Sequence, residues 1–334
     1  MKLHLSILDQ SPIISGHTPA QAVAETVKLA QAADALGYHR YWLAEHHAVA
    51  ALADPCPEIL LTRVASVTAR IRVGTGGVLL PYYSALKVAE VFRMLEALFP
   101  GRIDLGIGRA PGGDLATAQA LSSGQYSAAD HFVEQVQDLV GFLDDALSAD
   151  HAYARVKAMP AGSSAPPIWL LGSSDYSGAL AAALGLRFAF AHFINAQGGD
   201  MVTRAYRKRF QTSTREAAPH AVVCVFVICA ETATEAEKLA SCVDLRRLQM
   251  AQGLNTPIPT LAEAESQKYS ERELAYIRSQ RARAVIGDPR QVRERLLELR
   301  EQFDADELMI LTITGDYASR LKSYELLARE FELQ

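Results

Sequence analysis

The sequence predicts an α/β fold, a (β/α)8 TIM barrel with an insertion near its C-terminal mouth. Strand-like and helix-like segments alternate through eight rounds, no hairpin signal interrupts them, and 334 residues suffice for such a barrel as one domain. An open doubly wound sheet usually stops nearer five or six strands, so the count favours closure although alternation alone does not decide it. The whole chain, residues 1–334, is therefore read as a single barrel domain with 253–288 as an insertion or lid within it.

Residues 3–8 alternate as a strand should. Residues 18–36 follow with Val23, Val27, Ala30 and Leu36 at helical spacing, Thr18 as N-cap, Pro19 at the first helical position and Gly37 as the stop. The next units are strand 40–44 with helix 57–69, strand 71–80 with helix 85–99, strand 102–108 with helix 128–147, and strand 168–171 with helix 177–184. Strands at 187–193, 221–229 and 307–314 complete the set, with helices at 201–209, at 233–250 and after Gly315. Segment 253–288 is polar and too long for a barrel loop, with a helical patch at 271–281; Gly287, Asp288 and Pro289 then open a capped helix before the last strand.

Composition narrows the function. Lys and Arg number 33 against 38 Asp and Glu, a net charge of −5, which by itself holds neither a nucleic-acid backbone nor an anionic membrane. The 49% of hydrophobic residues exclude a disordered chain, while the longest apolar run, 221–230, is half of what spans a bilayer. The N-terminus lacks the apolar core and cleavage site of a signal peptide. Cys56, Cys224, Cys229 and Cys242 form no C-x-x-C pair, and an odd step places Cys224 and Cys229 on opposite strand faces. We expect a reduced, cytoplasmic protein.

A barrel of this kind builds its site from the loops after each strand. The second strand ends in Trp42, Leu43, Ala44, Glu45, His46 and His47, with Trp42, Ala44 and His46 on one face, which brings His46 to the mouth unless it is a hydrogen-bonded structural histidine. The third strand contains Thr75, Gly76 and Gly77; glycines inside a strand suit either a flat ligand lying on the backbone or a simple bulge. After the fourth strand, Arg109 stands among glycines and could fork onto a phosphate or make a surface ion pair. The run from Gly106 to Gly113 has the wrong spacing for a dinucleotide fingerprint. The fifth strand ends in Gly172, Ser173 and Ser174 at a helix start near Ser177, an anion cradle or an ordinary N-cap.

Taken together, LHLSILD, YWLAEHH, RVGTGGVLLP, VAEVFRMLEALFPGRIDLGIGRAPGG and WLLGSSDYS resemble the bacterial luciferase-like flavin monooxygenase family over nearly the whole chain. The resemblance implies a barrel that binds FMN at its mouth and receives it reduced from a separate NAD(P)H-dependent flavin reductase. Substrates would be O2 and a small organic molecule. His46 and His47 fall on the catalytic histidine and its neighbour. Gly76 and Gly77, flanked by Thr75 and facing Ala44, fall on a pair joined by a non-prolyl cis peptide against the flavin ring. Arg109, Gly172, Ser173, Ser174 and Ser177 fall on the phosphate cradle. Two departures stand out: Gly108 occupies the reactive-cysteine position, and the second phosphate arginine expected between 124 and 131 is missing.

On this reading the movable insertion and a closed apolar mouth keep water from the flavin, and His46, with a pKa near neutrality, moves a proton there. The alternatives are an F420-dependent hydride-transfer enzyme of the same fold and a non-catalytic flavin-binding protein. A metal-dependent hydrolase built on His46 and His47 is a third, disfavoured because neighbouring strand residues face apart. The relatives pair through a helical bundle on the barrel flank, which implies a homodimer. The stripe of Val88, Phe92 and Leu95 suits that interface or, by default, the chain's own barrel.

Overall fold

A computed structural model describes residues 3–109, 112–122, 131–162 and 164–333. The strands are β1 (His4–Asp9), β2 (Arg40–Leu43), β3 (Arg72–Thr75), β4 (Val78–Leu79), β5 (Ile103–Gly108), β6 (Ile168–Gly172), β7 (Arg187–Ala191), β8 (Ala221–Cys229), β9 (Ala284–Gly287) and β10 (Glu307–Leu311). Helices α1 (Pro19–Leu36), α2 (Pro57–Val67), α3 (Ala85–Leu98), α4 (Leu115–Leu121), α5 (Phe132–Asp144) and α6 (Asp175–Ala183) lie among the first six strands and after them. The second half adds α7 (Gly199–Arg209), α8 (Ala233–Ala251), α9 (Leu261–Ser266), α10 (Glu271–Arg281), α11 (Pro289–Phe303) and α12 (Tyr317–Glu330).

Eight parallel strands close the ring in the order β1, β2, β3, β5, β6, β7, β8, β10, and β10 returns to β1 with His4 opposite Glu307. The expected strand 71–80 is interrupted at the glycine pair: β3 pairs with β5 before it and β4 pairs with β5 after it. The cap signals of α1 hold, with Thr18 bonded to the Gln21 amide at 3.2 Å and Gly37 left-handed at φ 84°. Three elements escaped the sequence reading: α4, α9 and β9. The short α4, capped by Asp114, precedes α5, which begins at Phe132 rather than at 128; residues 123–130, where the second phosphate arginine was sought, lie outside the described ones. Within 253–288, β9 joins the sheet beside the last four residues of β8, so this stretch is partly built into the barrel.

The period of two separates the core. Outward residues such as Ile7, Leu43, Leu105 and Val225 pack under the helices, while Leu8, Trp42, Trp169, Cys224 and Met309 form an inner cluster. The bottom of the barrel is ionic. Arg40 reaches Asp104 at 2.8 Å and Glu307 at 2.9 Å, and Trp42 Nε1 donates to Asp104 at 3.1 Å. Burial alone would raise the Asp104 carboxyl, but the Arg40 and Arg72 guanidiniums outweigh it and hold its pKa down at about 2. Above this floor, where a barrel normally fills with bulky branched residues, the inner positions are Ala44, Gly76, Gly108, Ala189 and Ala191. Small side chains there leave the C-terminal half hollow. Among the described residues, no helix is long and apolar enough to cross a membrane.

Candidate active site

The chain after β2 stays extended because Ala44 N donates to Asp9 O at 3.0 Å and His46 N to Asp54 O at 3.0 Å. The strand's alternation therefore continues, and Trp42, Ala44 and His46 all line the hollow. His46 Nδ1 is buried there with no hydrogen-bond partner among the described residues. Burial first, then the neighbouring His47, push the imidazole pKa down to about 4 against a weak opposing effect of the Ala44 backbone. The ring is thus neutral at pH 7, which corrects the expectation of a pKa near neutrality.

His47 turns elsewhere. Its Nε2 lies 2.7 Å from Glu45 Oε1, and the Glu45 carboxylate also accepts from Tyr83 Oη at 2.7 Å and Leu79 N at 2.9 Å. His47 does not line the hollow and serves to pin the loop. Thr75 is likewise withdrawn: fully buried, its hydroxyl donates to Gly106 O at 2.9 Å and accepts from Gly106 N at 3.1 Å.

The Gly76–Gly77 peptide is cis and forms part of the wall. A Cβ on Gly77 would lie 2.6 Å from Gly106 O, and one on Gly76 2.5 Å from Leu8 Cδ1. Glycine is required because the barrel's own atoms crowd the pair, cavity-lining Leu8 and Trp42 at Gly76 and the β5 backbone at Gly77. With no side chain on either residue, the pair presents bare backbone to the cavity.

Opposite, β6 runs into α6 through Gly172, Ser173 and Ser174, all of which line the cavity. Ser177 Oγ donates to Ser174 O at 2.8 Å and accepts from Ser174 N at 3.4 Å, so its hydroxyl closes the turn and is committed internally. The Ser174 hydroxyl belongs to the capping box of α6 and lies 3.5 Å from Ser177 Oγ. Arg109 extends from the end of β5 over Tyr176 in the first turn of α6, its Cζ 4.5 Å from the ring centroid. Among the described residues, no carboxylate forms an ion pair with Arg109.

These groups share one cavity of about 300 Å³, closed on its remaining sides by Gln10, Leu171, Phe193, Ile194, Cys224 and Met309. Cys224 lies inside it while Cys229 packs in the outer core, as their odd spacing requires. Tyr176, Gln10 and Phe193 were not singled out from the sequence. Gln10 follows β1 directly and Phe193 lies two residues past β7, so the strand-end rule applied to every strand finds them; Tyr176 gives no such signal. Among the described residues, no three His, Cys, Asp or Glu side chains gather to hold a metal ion.

Comparison with known proteins identifies the family and the fold. The family described as luciferase-like monooxygenase matches residues 1–306. A luciferase-like monooxygenase of Escherichia coli K12 is 38% identical over 325 residues, covering 96% of this chain and 95% of its own. The N-acetyl-S-alkylcysteine monooxygenase of Bacillus subtilis 168 is 37% identical over 329 residues, 98% of this chain and 97% of its own. The crystal structure of apo-MsnO8 superposes with a TM-score of 0.91 at 38% identity over 100% of this chain and 98% of that one. The oxygenating constituent of 3,6-diketocamphane monooxygenase from Pseudomonas putida, solved with FMN, shares the fold at 19% identity, with a TM-score of 0.72 over 99% and 98% of the two chains.

Proposed function

The chain belongs to the luciferase-like monooxygenase family, and from that premise we propose that it binds FMN, reduced by a separate NAD(P)H-dependent reductase, and uses it with O2 to oxidise a small organic substrate. The observation that carries this reading is the convergence, on one small-residue cavity, of a buried His46 Nδ1 with no hydrogen-bond partner among the described residues, a bare Gly76–Gly77 wall, and an Arg109 with no ion-pair partner among them, beside a helix start. Each fits a different part of FMN: the ring nitrogens and oxygens, the flat ring face and the phosphate.

In this reading the phosphate lies against Arg109, the Ser173 and Ser174 hydroxyls and the first turn of α6, where backbone N–H groups and the helix dipole favour an anion. Gly172 lets Ser177 close the turn, because a Cβ there would lie 2.2 Å from Ser177 Oγ. Ala44, Gly76 and Gly77 leave a slot for the ring, and Trp42 closes its base. When reduced and bound, FMN supplies two electrons to O2, so that one oxygen atom reaches the substrate and the other leaves as water. His46, neutral at pH 7, holds or accepts a proton at Nδ1. His47 acts through Glu45 as a positioning residue, and Thr75 and Ser177 keep the wall and the turn in place.

Segment 253–288 is read as the cover of the mouth. Asn255 bridges to Ala48 O at 2.9 Å and from Ala50 N at 2.8 Å in the loop after His46, and Arg283 bonds Ile194 O at 2.7 Å at the cavity rim. A homodimer is supported by Ile59, Met94 and Leu98, which stand 69%, 51% and 55% exposed on the α2–α3 face. Val88, Phe92 and Leu95 are buried against the chain's own barrel. The free thiols, three of four buried, suit the reducing cytoplasm.

An equilibrium titration with FMN, reduced FMN and F420 tests the cofactor reading. We expect saturable binding of FMN in the micromolar range or tighter in at least one redox state, weakened in Arg109→Ala. Binding of F420 alone would replace this reading by the hydride-transfer one.

A further inference from the structure

Helix α8 does not descend the outside of the barrel. Its Ala236, Leu239, Ala240 and Val243 belong to the same apolar cluster as Cys224, Phe226 and Met309, so the helix lies across the C-terminal opening beside β8. One turn beyond Val243 it carries Arg246 and Arg247. The Arg247 guanidinium sits 5.0 Å from the centroid of the Phe226 ring, two residues past cavity-lining Cys224 on the inward face of β8. Arg283, at the start of β9, donates to the carbonyl of Ile194, which also lines the cavity. The rim on this side is therefore cationic.

Its charge is not balanced. Asp244 is the nearby acid, and Arg281 occupies both of its oxygens at 2.9, 2.9 and 2.5 Å while also reaching Glu237. Among the described residues, no carboxylate forms an ion pair with Arg246, Arg247 or Arg283. Arg247 has one 3.4 Å bond to Gln280 O, and burial together with Arg283 pushes its pKa down. Arg246 is only 5% exposed, its Nε has no partner, and its one bond, to Leu254 O, is 3.4 Å long. Buried charge without a partner is destabilising and is normally compensated by a counter-ion. Among the described residues the chain supplies no ion-pair partner here.

We propose that Arg247 and Arg283 receive the anionic head of the substrate, so that the molecule oxidised in the cavity bears a carboxylate or sulfonate on an apolar body. This rests on the flavin reading for the reaction but not for the binding. The guanidinium forks match a two- or three-oxygen anion, and Phe193, Ile194 and Met309 offer the apolar surface beyond it. This site is separate from Arg109, which stands across the mouth at the end of β5 over α6.

The test is calorimetric titration of the full-length protein, with and without FMN, with hexanoate, hexanesulfonate and hexanamide. We expect one or both anions to bind at least tenfold more tightly than the amide, and the two anion arms tell carboxylate from sulfonate. Arg247→Gln and Arg283→Gln should each lower anion affinity at least tenfold, leaving FMN affinity within twofold. Equal binding of anion and amide, unchanged anion affinity in both variants, or displacement of the anion by FMN overturns the proposal. Failure of FMN itself to bind refutes the flavin reading while the anion arms still judge the arginines.

Discussion

The guanidinium of Arg109 lies over the ring of Tyr176, 4.5 Å from its centroid, and so spans from the end of β5 to the first turn of α6. The arginine is held beside a helix start by a cation–π contact, which orients it without consuming its hydrogen-bond donors. A charge-assisted bond to phosphate is worth about 1.5–3 kcal/mol. Arg109→Ala should therefore weaken FMN binding by about 10- to 100-fold in a fluorescence titration, whereas Tyr176→Phe, which keeps a ring under the cation, should change it less than threefold.

His46→Gln removes the neutral imidazole but leaves the slot. General acid–base groups typically contribute about 10²–10⁴ in rate. Substrate oxidation should fall by that order while FMN affinity stays within a few-fold, and consumption of O2 that releases hydrogen peroxide should persist. Undiminished substrate oxidation would remove His46 from the chemistry.

Gly77→Ala sets a Cβ 2.6 Å from the Gly106 carbonyl oxygen, where only backbone could yield. Overpacking of this kind costs about 1–3 kcal/mol. A melting temperature lowered by several degrees is expected. Gly108→Ala, whose Cβ would meet Leu79 Cδ2 at 4.0 Å, is the control and should fold with nearly unchanged stability.

Stability should fall in mild acid. Burial holds His39, His46, His192 and His220 at a pKa of about 4, so between pH 6.5 and 4 the unfolded chain binds protons that the native one refuses. Each histidine contributes stability that is present above pH 6.5 and lost on descent, at most about 1.4 kcal/mol per pH unit. Asp54 opposes them. Burial raises it to about 7, its Oδ2 has no partner, and the stability of its protonated form is lost as pH rises through 7. Four groups against one predict a lower urea midpoint at pH 5 than at pH 7, and Asp54→Asn should gain stability relative to the parent above pH 7.

The α2–α3 face predicts the assembly state. Leu98→Glu or Met94→Glu places a charge where exposed apolar side chains would meet a second copy. Light scattering after size exclusion should give a dimer for the parent and a monomer for either variant, with far-UV circular dichroism unchanged.

Much of this was legible because it follows from local rules. The period of two placed Trp42, Ala44 and His46 on one face and parted Cys224 from Cys229; the Thr18 and Asp288 caps and the Gly37 stop marked helix ends. What spacing did not reveal is which partner each polar side chain takes. Thr75 bonds Gly106, 31 residues on, His47 bonds Glu45 within its own loop, and Ser177 closes the turn at Ser174 while still lining the cavity. The four residues of β9 gave too short a pattern to stand out and are strand only because β8 extends past β7 to pair with them. The low pKa of His46 comes from a burial that no spacing reveals.

A crystal structure of the protein soaked with FMN decides the matter most directly. The account predicts the phosphate within hydrogen-bond distance of Arg109 and Ser174, the ring against the Gly76–Gly77 peptide, and His46 Nδ1 facing the ring or the space above it. FMN bound elsewhere on the barrel, or a fully soaked crystal with this cavity empty while F420 enters it, would contradict it.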